Sequence, residues 1–250
     1  MKRILLTMLA VVVLLVGVAG GLVGSAFVGL QPATDGPVAP GVQLVRDGYV
    51  NAFLIDLDDG VALIDCGNDP EAKSLLAALK DRGLEIASVK AIFLTHGHRD
   101  HLGGCRQFPS AAVFAFEGDR GLVEGTKAAN GPLPRLAGID ASAAVKVTSA
   151  LTDGATVSFG SVGVTAWNIP GHTEGSAAFL ARGVLFLGDS AAGQSDGAIR
   201  PAPWVFSDDV GRCRASLMGL ATRAPMQTVA QLAFSHSGWL AGGSALTTFH

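Results

Sequence analysis

Three histidines and an aspartate stand within six consecutive positions, and this cluster constrains the fold more than any other feature. Its members are His96, His98, Asp100 and His101. They follow directly on Val89–Thr95, an apolar run with β-branched residues that predicts a buried strand. Imidazole and carboxylate groups are ligands for zinc-like cations. With Gly97 giving the backbone freedom to turn, one loop can serve two metal ions about 3.5–4 Å apart.

Four ligands cannot close two metal sites, so the cluster predicts further ligands at the ends of later strands. His172, Asp189 and His236 each lie just after such a run, and five of the six histidines therefore fall in strand-end loops. Alone, His236 would ordinarily be a solvent-facing or hydrogen-bonded residue, and Asp189 a turn former. Together with the cluster, they favour a metal centre.

This pattern resembles the metallo-β-lactamase superfamily. The matching motif is His96-Gly97-His98-Arg99-Asp100-His101, followed in order by His172, Asp189 and His236. The resemblance runs from about Val42 to Gly238, and Leu63–Gly67 is similar to the strand and turn before the family's first helix, with Cys66 where Thr is usual. It implies an α/β fold, a four-layer αββα sandwich of two mixed β-sheets flanked by helices.

The resemblance also implies the ligand set and its supporting residue. It gives His96, His98 and His172 to one metal, Asp100, His101 and His236 to the second, and Asp189 to both as a bridge. The cofactor is then two divalent metal ions, with zinc favoured over iron or manganese. Asp65 is expected to hydrogen-bond the histidine loop from behind, although a plain turn residue before Gly67 is an equally open interpretation.

The predicted function is metal-dependent hydrolysis of a small molecule. Two cations would hold a hydroxide for attack on an ester, lactone, thioester or amide, with Asp100 orienting it or relaying its proton. Common zinc β-lactamases have Cys in the bridging place, so Asp189 favours esterase, lactonase or thioesterase chemistry. Glyoxalase II adds a helical substrate-binding domain after the last histidine, whereas only 14 residues follow His236, so glutathione thioesters are not expected.

The sequence leaves two other functions open. The superfamily also contains mononuclear iron dioxygenases that act on persulfides, and metal analysis would distinguish these from a hydrolase. A catalytically silent binding protein is the third alternative, and it is the least favoured because silent members commonly lose ligands.

Candidate substrate contacts are weaker predictions. The stretch Ala191–Phe206 contains Arg200 and Trp204, which could line the mouth of the site. The stretch 117–144, with Lys127 and Arg135, could form another wall. For each residue taken singly, a solvated loop position is the favoured interpretation.

The chain divides by composition into a leader, a linker and one domain. Residues 1–30 form the leader, residues 31–41 hold three prolines and are interpreted as a linker, and residues 42–250 are predicted to be the hydrolase domain. The predicted strands of this domain are Val42–Arg46, Tyr49–Leu57, Val61–Asp65, Val89–Thr95, Ala112–Phe116, Ala155–Phe159, Val162–Ile169, Ala177–Ala181, Val184–Leu187 and Thr228–Phe234. Helices are predicted from Asp69 to Arg82, from Ser207 to Arg223, and after Gly238.

The leader predicts export. Lys2 and Arg3 precede Ile4–Leu30, which carries no charged side chain. A cleaved secretory signal and an uncleaved membrane anchor are both open, and both place the domain outside the cytoplasm, for example in a periplasm. Without the leader the formal charge is more negative than the −3 of the whole chain, so nucleic acid is not an expected partner. The sequence does not fix the oligomeric state.

The chain contains three cysteines. Cys66, Cys105 and Cys213 are too few for a disulfide scaffold. A single bridge is open in an oxidising compartment, but three small buried hydrophobic residues are the favoured interpretation.

Overall fold

A computed structural model describes residues 17, 20, 21 and 24–250. The predicted leader therefore lies largely outside the described residues. Within the part of the chain that is described, no helix has both the length and the apolar character needed to span a bilayer.

Two β-sheets form the centre of the molecule. The first sheet has seven strands in sequence order: β1 (Gly36–Ala39), β2 (Val42–Asp47), β3 (Val50–Leu57), β4 (Gly60–Ile64), β5 (Val89–Phe93), β6 (Ala112–Ala115) and β7 (Ser149–Ala150). The second has six strands, ordered β15-β14-β11-β10-β9-β8: β8 (Thr156–Phe159), β9 (Val162–Asn168), β10 (Ala177–Ala181), β11 (Val184–Phe186), β14 (Gln231–Ala233) and β15 (Leu240–Ala241). A separate hairpin pairs β12 (Ala191–Gly193) with β13 (Ile199–Pro201).

The helices lie among and outside these sheets. The α-helices are α1 (Lys73–Asp81), α2 (Arg99–Leu102), α3 (Arg120–Val123), α4 (Val210–Arg223) and α5 (Ser244–Thr247). Short 3-10 helices cover Ile86–Ser88, Cys105–Gln107, Glu117–Asp119, Pro134–Ala137, Trp204–Phe206 and Met226–Thr228.

Three apolar layers hold the four-layer sandwich together, and β3 shows why. Successive side chains of a strand point to opposite faces. Phe53 and Ile55 thus enter the layer between the two sheets, while Leu54 enters the layer that packs under α1. Leu217 of α4 belongs to the third layer, on the outer face of the second sheet. The predicted αββα architecture is confirmed.

Two element predictions need correction. The stretch 31–41, interpreted as a linker, contains β1, which pairs antiparallel with β2. The first helix begins at Lys73 and not at Asp69, because Ala72 has a left-handed φ of 50°. Asp69 still accepts hydrogen bonds from the Glu71 and Lys73 amides, so it closes the turn that leads into α1.

The interpretation of all three cysteines as buried hydrophobic residues is wrong for two of them. Cys66 and Cys105 form a disulfide across a sequence separation of 39 residues. The bond joins the turn after β4 to the segment after α2. Cys213 is the free, buried cysteine, as expected.

Candidate metal centre

The carboxyl ends of the parallel strands meet at one edge of the sandwich, and the candidate residues lie there. β4 and β5 are parallel, as are β11 and β14. The loops that follow these strands and β9 carry Asp65, the 96–101 cluster, Asp189, His236 and His172. The fold thus brings all seven predicted ligands into one cluster, which contains three overlapping groups whose ligand atoms lie within 4.8 Å of one another.

The first group is an all-histidine triangle. It consists of His96, His98 and His172. The Nε2 atom of His172 lies 3.2 Å from Nε2 of His96 and 3.1 Å from Nδ1 of His98. Three imidazole nitrogens that converge in this way match the protein ligands of a metal site that keeps a further position open.

The second group lies beside the first, and Asp189 stands between them. Nε2 of His236 is 3.5 Å from Oδ2 of Asp100, and Nε2 of His101 is 3.8 Å from Oδ1 of Asp100. Asp189 Oδ1 is 3.4 Å from Nε2 of His101, and its Oδ2 is 3.1 Å from Nε2 of His236. The same Oδ2 is 3.6 Å from Nε2 of His172. Asp189 is therefore within reach of both groups.

Hydrogen bonds behind the rings determine which nitrogen faces the centre. Nδ1 of His101 lies 2.8 Å from Asp65 Oδ2, and Nδ1 of His236 lies 2.9 Å from the Tyr49 carbonyl. Both partners can only accept, so each Nδ1 carries a proton, and when the ring is neutral its Nε2 presents a lone pair.

Hydroxyl groups determine in the same way which nitrogen of His96 and of His172 carries the proton. The Thr95 hydroxyl donates to Asp65 Oδ2, so its oxygen accepts from Nδ1 of His96 at 3.1 Å. The Ser207 hydroxyl donates to the Pro203 carbonyl and accepts from Nδ1 of His172 at 3.1 Å. Acceptors behind metal-ligating histidines are the usual means of fixing such rings.

Two atoms at the centre test whether a cation fits. Among the described residues, His101 Nε2 and Asp189 Oδ1 are buried and have no hydrogen-bond partner. Buried polar atoms are normally satisfied, and here a ring nitrogen and a carboxylate oxygen face each other at 3.4 Å without a hydrogen bond. A cation between them would satisfy both atoms, so the donor set fits a metal ion.

The pKa values of the metal-free centre also indicate a site for a cation. Burial, together with the neighbouring His98, lowers the pKa of His172 to about 3. Burial also lowers the pKa of His236, but the adjacent Asp189 carboxylate outweighs it and raises that pKa to about 8. Burial opposes ionisation of Asp189, yet His236 and His101 hold its pKa well below the usual range. The centre therefore contains an ionised carboxylate that attracts positive charge.

Comparison with known proteins places these residues in a family. The sequence model of the metallo-beta-lactamase superfamily matches residues 45–217. The chain belongs to this superfamily. It is 36% identical over 153 residues to a hydroxyacylglutathione hydrolase of Gloeobacter violaceus, covering 58% of this chain and 50% of that one. It is 31% identical over 150 residues to the uncharacterized protein YobT of Bacillus subtilis, covering 56% and 61%.

Solved structures agree on the fold. The subclass B3 metallo-beta-lactamase BJP-1 of Bradyrhizobium japonicum superposes with a TM-score of 0.63 at 23% identity, covering 83% of this chain and 79% of that one. At this identity the likeness shows the metallo-β-lactamase fold alone. The chain spans about half the length of the hydroxyacylglutathione hydrolase it matches.

Asp65 makes the contacts expected of a residue that supports the ligands. It is fully buried, and its carboxylate accepts from the Thr95 amide, the Thr95 hydroxyl and Nδ1 of His101. Its own backbone has a left-handed φ of 58°, which turns the carboxylate at the end of β4 towards the histidine loop. One side chain thus orients His101 directly and His96 through Thr95.

Sequence reasoning missed Asp119, which joins two ligand loops. This buried carboxylate accepts from the Gly97 amide, the Thr173 hydroxyl and the Gly175 amide, each at 2.7 Å. It therefore ties the loop of His96 and His98 to that of His172. Asp119 follows β6 in the first sheet, so the strand-end rule that found the other loops could have found it.

Gly97 serves the loop differently from the sequence expectation. Its φ is not in the left-handed region, so backbone freedom is not the reason for glycine. A Cβ at this position would lie 2.4 Å from Cβ of Leu122. Glycine is needed because α3 packs directly against the histidine loop.

A cavity of about 830 Å³ opens over the metal centre. Lys127 and other residues of the stretch 117–144 line it, as predicted, whereas Arg135 does not. The prediction for Arg200 and Trp204 is corrected, because neither residue lines the cavity. The Arg200 guanidinium is bound to the backbone carbonyls of Ser25 and Val28, and the Trp204 side chain is 57% exposed.

Proposed function

We propose that this chain is a hydrolase that uses two divalent cations, with zinc favoured, to cleave an ester, lactone, thioester or amide. The observation that carries the proposal is the convergence of seven ligating side chains, four of which have their outer nitrogen held by an acceptor. His96, His98 and His172 would hold one cation, and Asp100, His101 and His236 the other, with Asp189 shared between the two. When bound, the two cations lower the pKa of a water and polarise the scissile carbonyl.

The chain's own residues account for the remaining chemistry. Asp100 lines the cavity and is 22% exposed, so its carboxylate can orient the attacking water and receive its proton. Asp65 and Asp119 hold the ligand loops in position. Apolar residues line much of the cavity above the centre, and this strengthens electrostatic interactions within it.

The similar proteins suggest a class of substrate for this chain. Hydroxyacylglutathione hydrolase is a thioesterase by name, and the match covers half of it. Asp189 in the bridging place supports thioester, ester or lactone cleavage over β-lactam cleavage. We therefore place carboxylic esters and thioesters first in a substrate screen.

We also propose that the domain works outside the cytoplasm. The uncharged stretch Ile4–Leu30 after Lys2 and Arg3 supports export. The Cys66–Cys105 disulfide adds independent support, because such bonds persist in oxidising compartments. Fractionation of cells that express the full chain, with N-terminal sequencing of the recovered protein, tests this. Recovery in the cytoplasm with reduced Cys66 and Cys105 would contradict it.

The hydrolase proposal is tested with a substrate panel and a matched pair of variants. Wild-type protein should hydrolyse at least one ester, lactone or thioester, lose activity on chelation and regain it with Zn²⁺. Asp189→Asn should lower kcat/KM by about 100-fold or more. Asp140→Asn should stay within about twofold of wild type, because Asp140 lines the same cavity but hydrogen-bonds Ser142 and contacts no ligand. Equal activity of the two variants would overturn the proposal.

A further inference from the structure

The last residues of the predicted leader are bound to the domain by Arg200. Residues 24–31 are here called the strap. The Arg200 guanidinium donates to the Ser25 carbonyl at 3.1 Å and to the Val28 carbonyl at 2.9 Å. It also donates to Oε1 of Gln194 at 2.9 Å. A rigid fork of donors suits several fixed acceptors at once, so Arg200 holds the strap in one conformation.

Backbone contacts extend this attachment along the β12–β13 hairpin and beyond it. Leu30 forms a β-bridge with Gln194. The Gln31 amide donates to the Gly193 carbonyl at 2.9 Å, and the Gln31 carbonyl accepts from the Gly238 amide at 2.7 Å. The strap is therefore anchored at both ends and belongs to the folded domain.

The inner side of the strap lines the cavity above the metal centre. Ala26, Phe27 and Leu30 are lining residues. The Phe27 ring meets the His236 ring edge-on, with centroids 6.4 Å apart. The Tyr49 ring stacks on the same imidazole, with its centroid 5.7 Å from that of His236 and an interplanar angle of 10°. A residue of the predicted leader thus lies against a candidate metal ligand.

Apolar groups make up most of the rest of the cavity. Its other apolar lining residues include Leu102, Leu122, Leu133, Pro134, Pro203 and Phe206. Leu136 and Ile139 flank the lining residues Ala137 and Gly138 in the sequence, and their side chains are exposed. Exposed apolar surface of this kind marks a binding groove.

Few charges are available to a substrate in this cavity. The charged lining residues are Arg99, Asp100, Lys127, Asp140 and Asp189. Asp100 and Asp189 belong to the metal centre, and Arg99 lies 3.7 Å from Asp140. Lys127 is the remaining cation. A substrate with several charged groups would press some of them against apolar walls, which is costly.

We propose that the strap is one wall of an acyl-chain pocket, and that the substrate is a carbonyl compound with an unbranched aliphatic acyl chain. The proposal rests on the proposed hydrolase function. The carbonyl lies at the metal centre, and the chain runs past Phe27 and between the strap and the wall that contains Leu122 and Leu133. Arg200 is a positioning residue, because it acts through the strap.

The test is a chain-length series on the full chain. Wild type and the variants Phe27→Ala, Arg200→Gln and Val28→Ala are assayed with p-nitrophenyl acetate and p-nitrophenyl octanoate. Val28 is the matched control, since its side chain is 67% exposed and does not line the cavity. Calorimetric binding of decanoate and of butyrate, together with metal content, is measured on the same proteins.

Phe27→Ala and Arg200→Gln should raise KM for the octanoate by about fivefold or more. The KM for the acetate should rise less than the KM for the octanoate, so that the preference for the longer chain falls, and decanoate binding should weaken by a similar factor. Val28→Ala should match wild type throughout. The pocket proposal would be overturned if wild type and Phe27→Ala bound decanoate equally well. It would also be overturned if wild type bound decanoate no better than butyrate.

The two proposals fail in different ways. If no ester is turned over but decanoate binds in a Phe27-dependent manner, the pocket stands and the hydrolase function falls. If esters are turned over without dependence on acyl length or on Phe27, the hydrolase stands and the acyl pocket falls.

Discussion

Replacing Asp65 by asparagine should disable the metal centre without touching a ligand. Asp65 Oδ2 accepts from the Thr95 hydroxyl at 2.7 Å and from Nδ1 of His101 at 2.8 Å, while Oδ1 accepts from the Thr95 amide at 2.8 Å. The side-chain carbonyl oxygen of an asparagine can still accept the hydrogen bond from the Thr95 backbone amide. Its NH2 group then takes the place of Oδ2 and can only donate.

That exchange would move protons on two rings. Nδ1 of His101 would have to accept, so its proton would move to Nε2, the nitrogen that faces Asp100 and Asp189. The Thr95 hydroxyl, no longer able to donate to position 65, would turn its hydrogen towards Nδ1 of His96, 3.1 Å away. Both rings would then lose the lone pair that a metal needs.

The magnitude follows from these contacts. Loss of a supporting residue behind a metal ligand costs about 10–100-fold in metal affinity, and the upper end applies here because two rings are affected. Two charge-assisted hydrogen bonds to Oδ2 are also lost, so the metal-free protein should be destabilised by about 3 kcal/mol.

The assay is Zn²⁺ titration by calorimetry, with urea unfolding of the metal-free protein. Asp47→Asn is the matched control, because Asp47 Oδ2 accepts only from the backbone amides of Asn68 and Asp69, which an asparagine oxygen can still satisfy. Wild-type Zn²⁺ affinity in Asp65→Asn would refute the reasoning about the tautomers, whatever its stability.

Three further predictions concern stability. Gly171→Ala should destabilise the protein by about 3 kcal/mol, because the added Cβ would lie 2.1 Å from the backbone nitrogen of Cys213. Gly219 lies in α4 with no atom within 4 Å of an added Cβ, so Gly219→Ala should stabilise the protein by about 0.5–1 kcal/mol. Urea unfolding measures both free energies, and equal values for the two variants would contradict this. Reducing the Cys66–Cys105 bond, which closes a loop of 39 residues, should cost about 4 kcal/mol, and an unchanged urea midpoint with reductant would argue against it. Burial raises the pKa of the Cys213 thiol from 9.0 to about 11. The protonated thiol therefore contributes fully to the free energy of unfolding below pH 9, and this contribution should fall by about 2–3 kcal/mol as pH rises to 11. Cys213→Ala should remove that part of the pH dependence.

The strands and ligand loops could be predicted because they depend on local patterns. The apolar run before His96 identifies β5, and Ala177–Ala181 is predicted with the bounds that the structure shows. The carboxyl ends of such strands collect at one edge of a fold of this kind, so the positions of the candidate ligands after strands were enough to predict that they meet. Their division between two metals came only from the family resemblance.

Contacts between distant segments could not be predicted in this way. Arg200 lies 172 residues from Val28 along the chain, and no periodicity in either segment indicates that they meet. The Cys66–Cys105 bond likewise depends on the turn after β4 lying against the segment after α2. β1 was missed because prolines in residues 31–41 indicate a linker, whereas an edge strand tolerates Pro37.

Metal stoichiometry tests the central claim most directly. Purified full-length protein, equilibrated with Zn²⁺ and freed of excess, is analysed by inductively coupled plasma mass spectrometry beside His236→Ala. We predict two zinc ions per chain in the wild type and one in the variant, whose group of His96, His98 and His172 stays intact. One iron per chain as purified, with no second metal taken up on Zn²⁺ addition, would contradict the dinuclear centre.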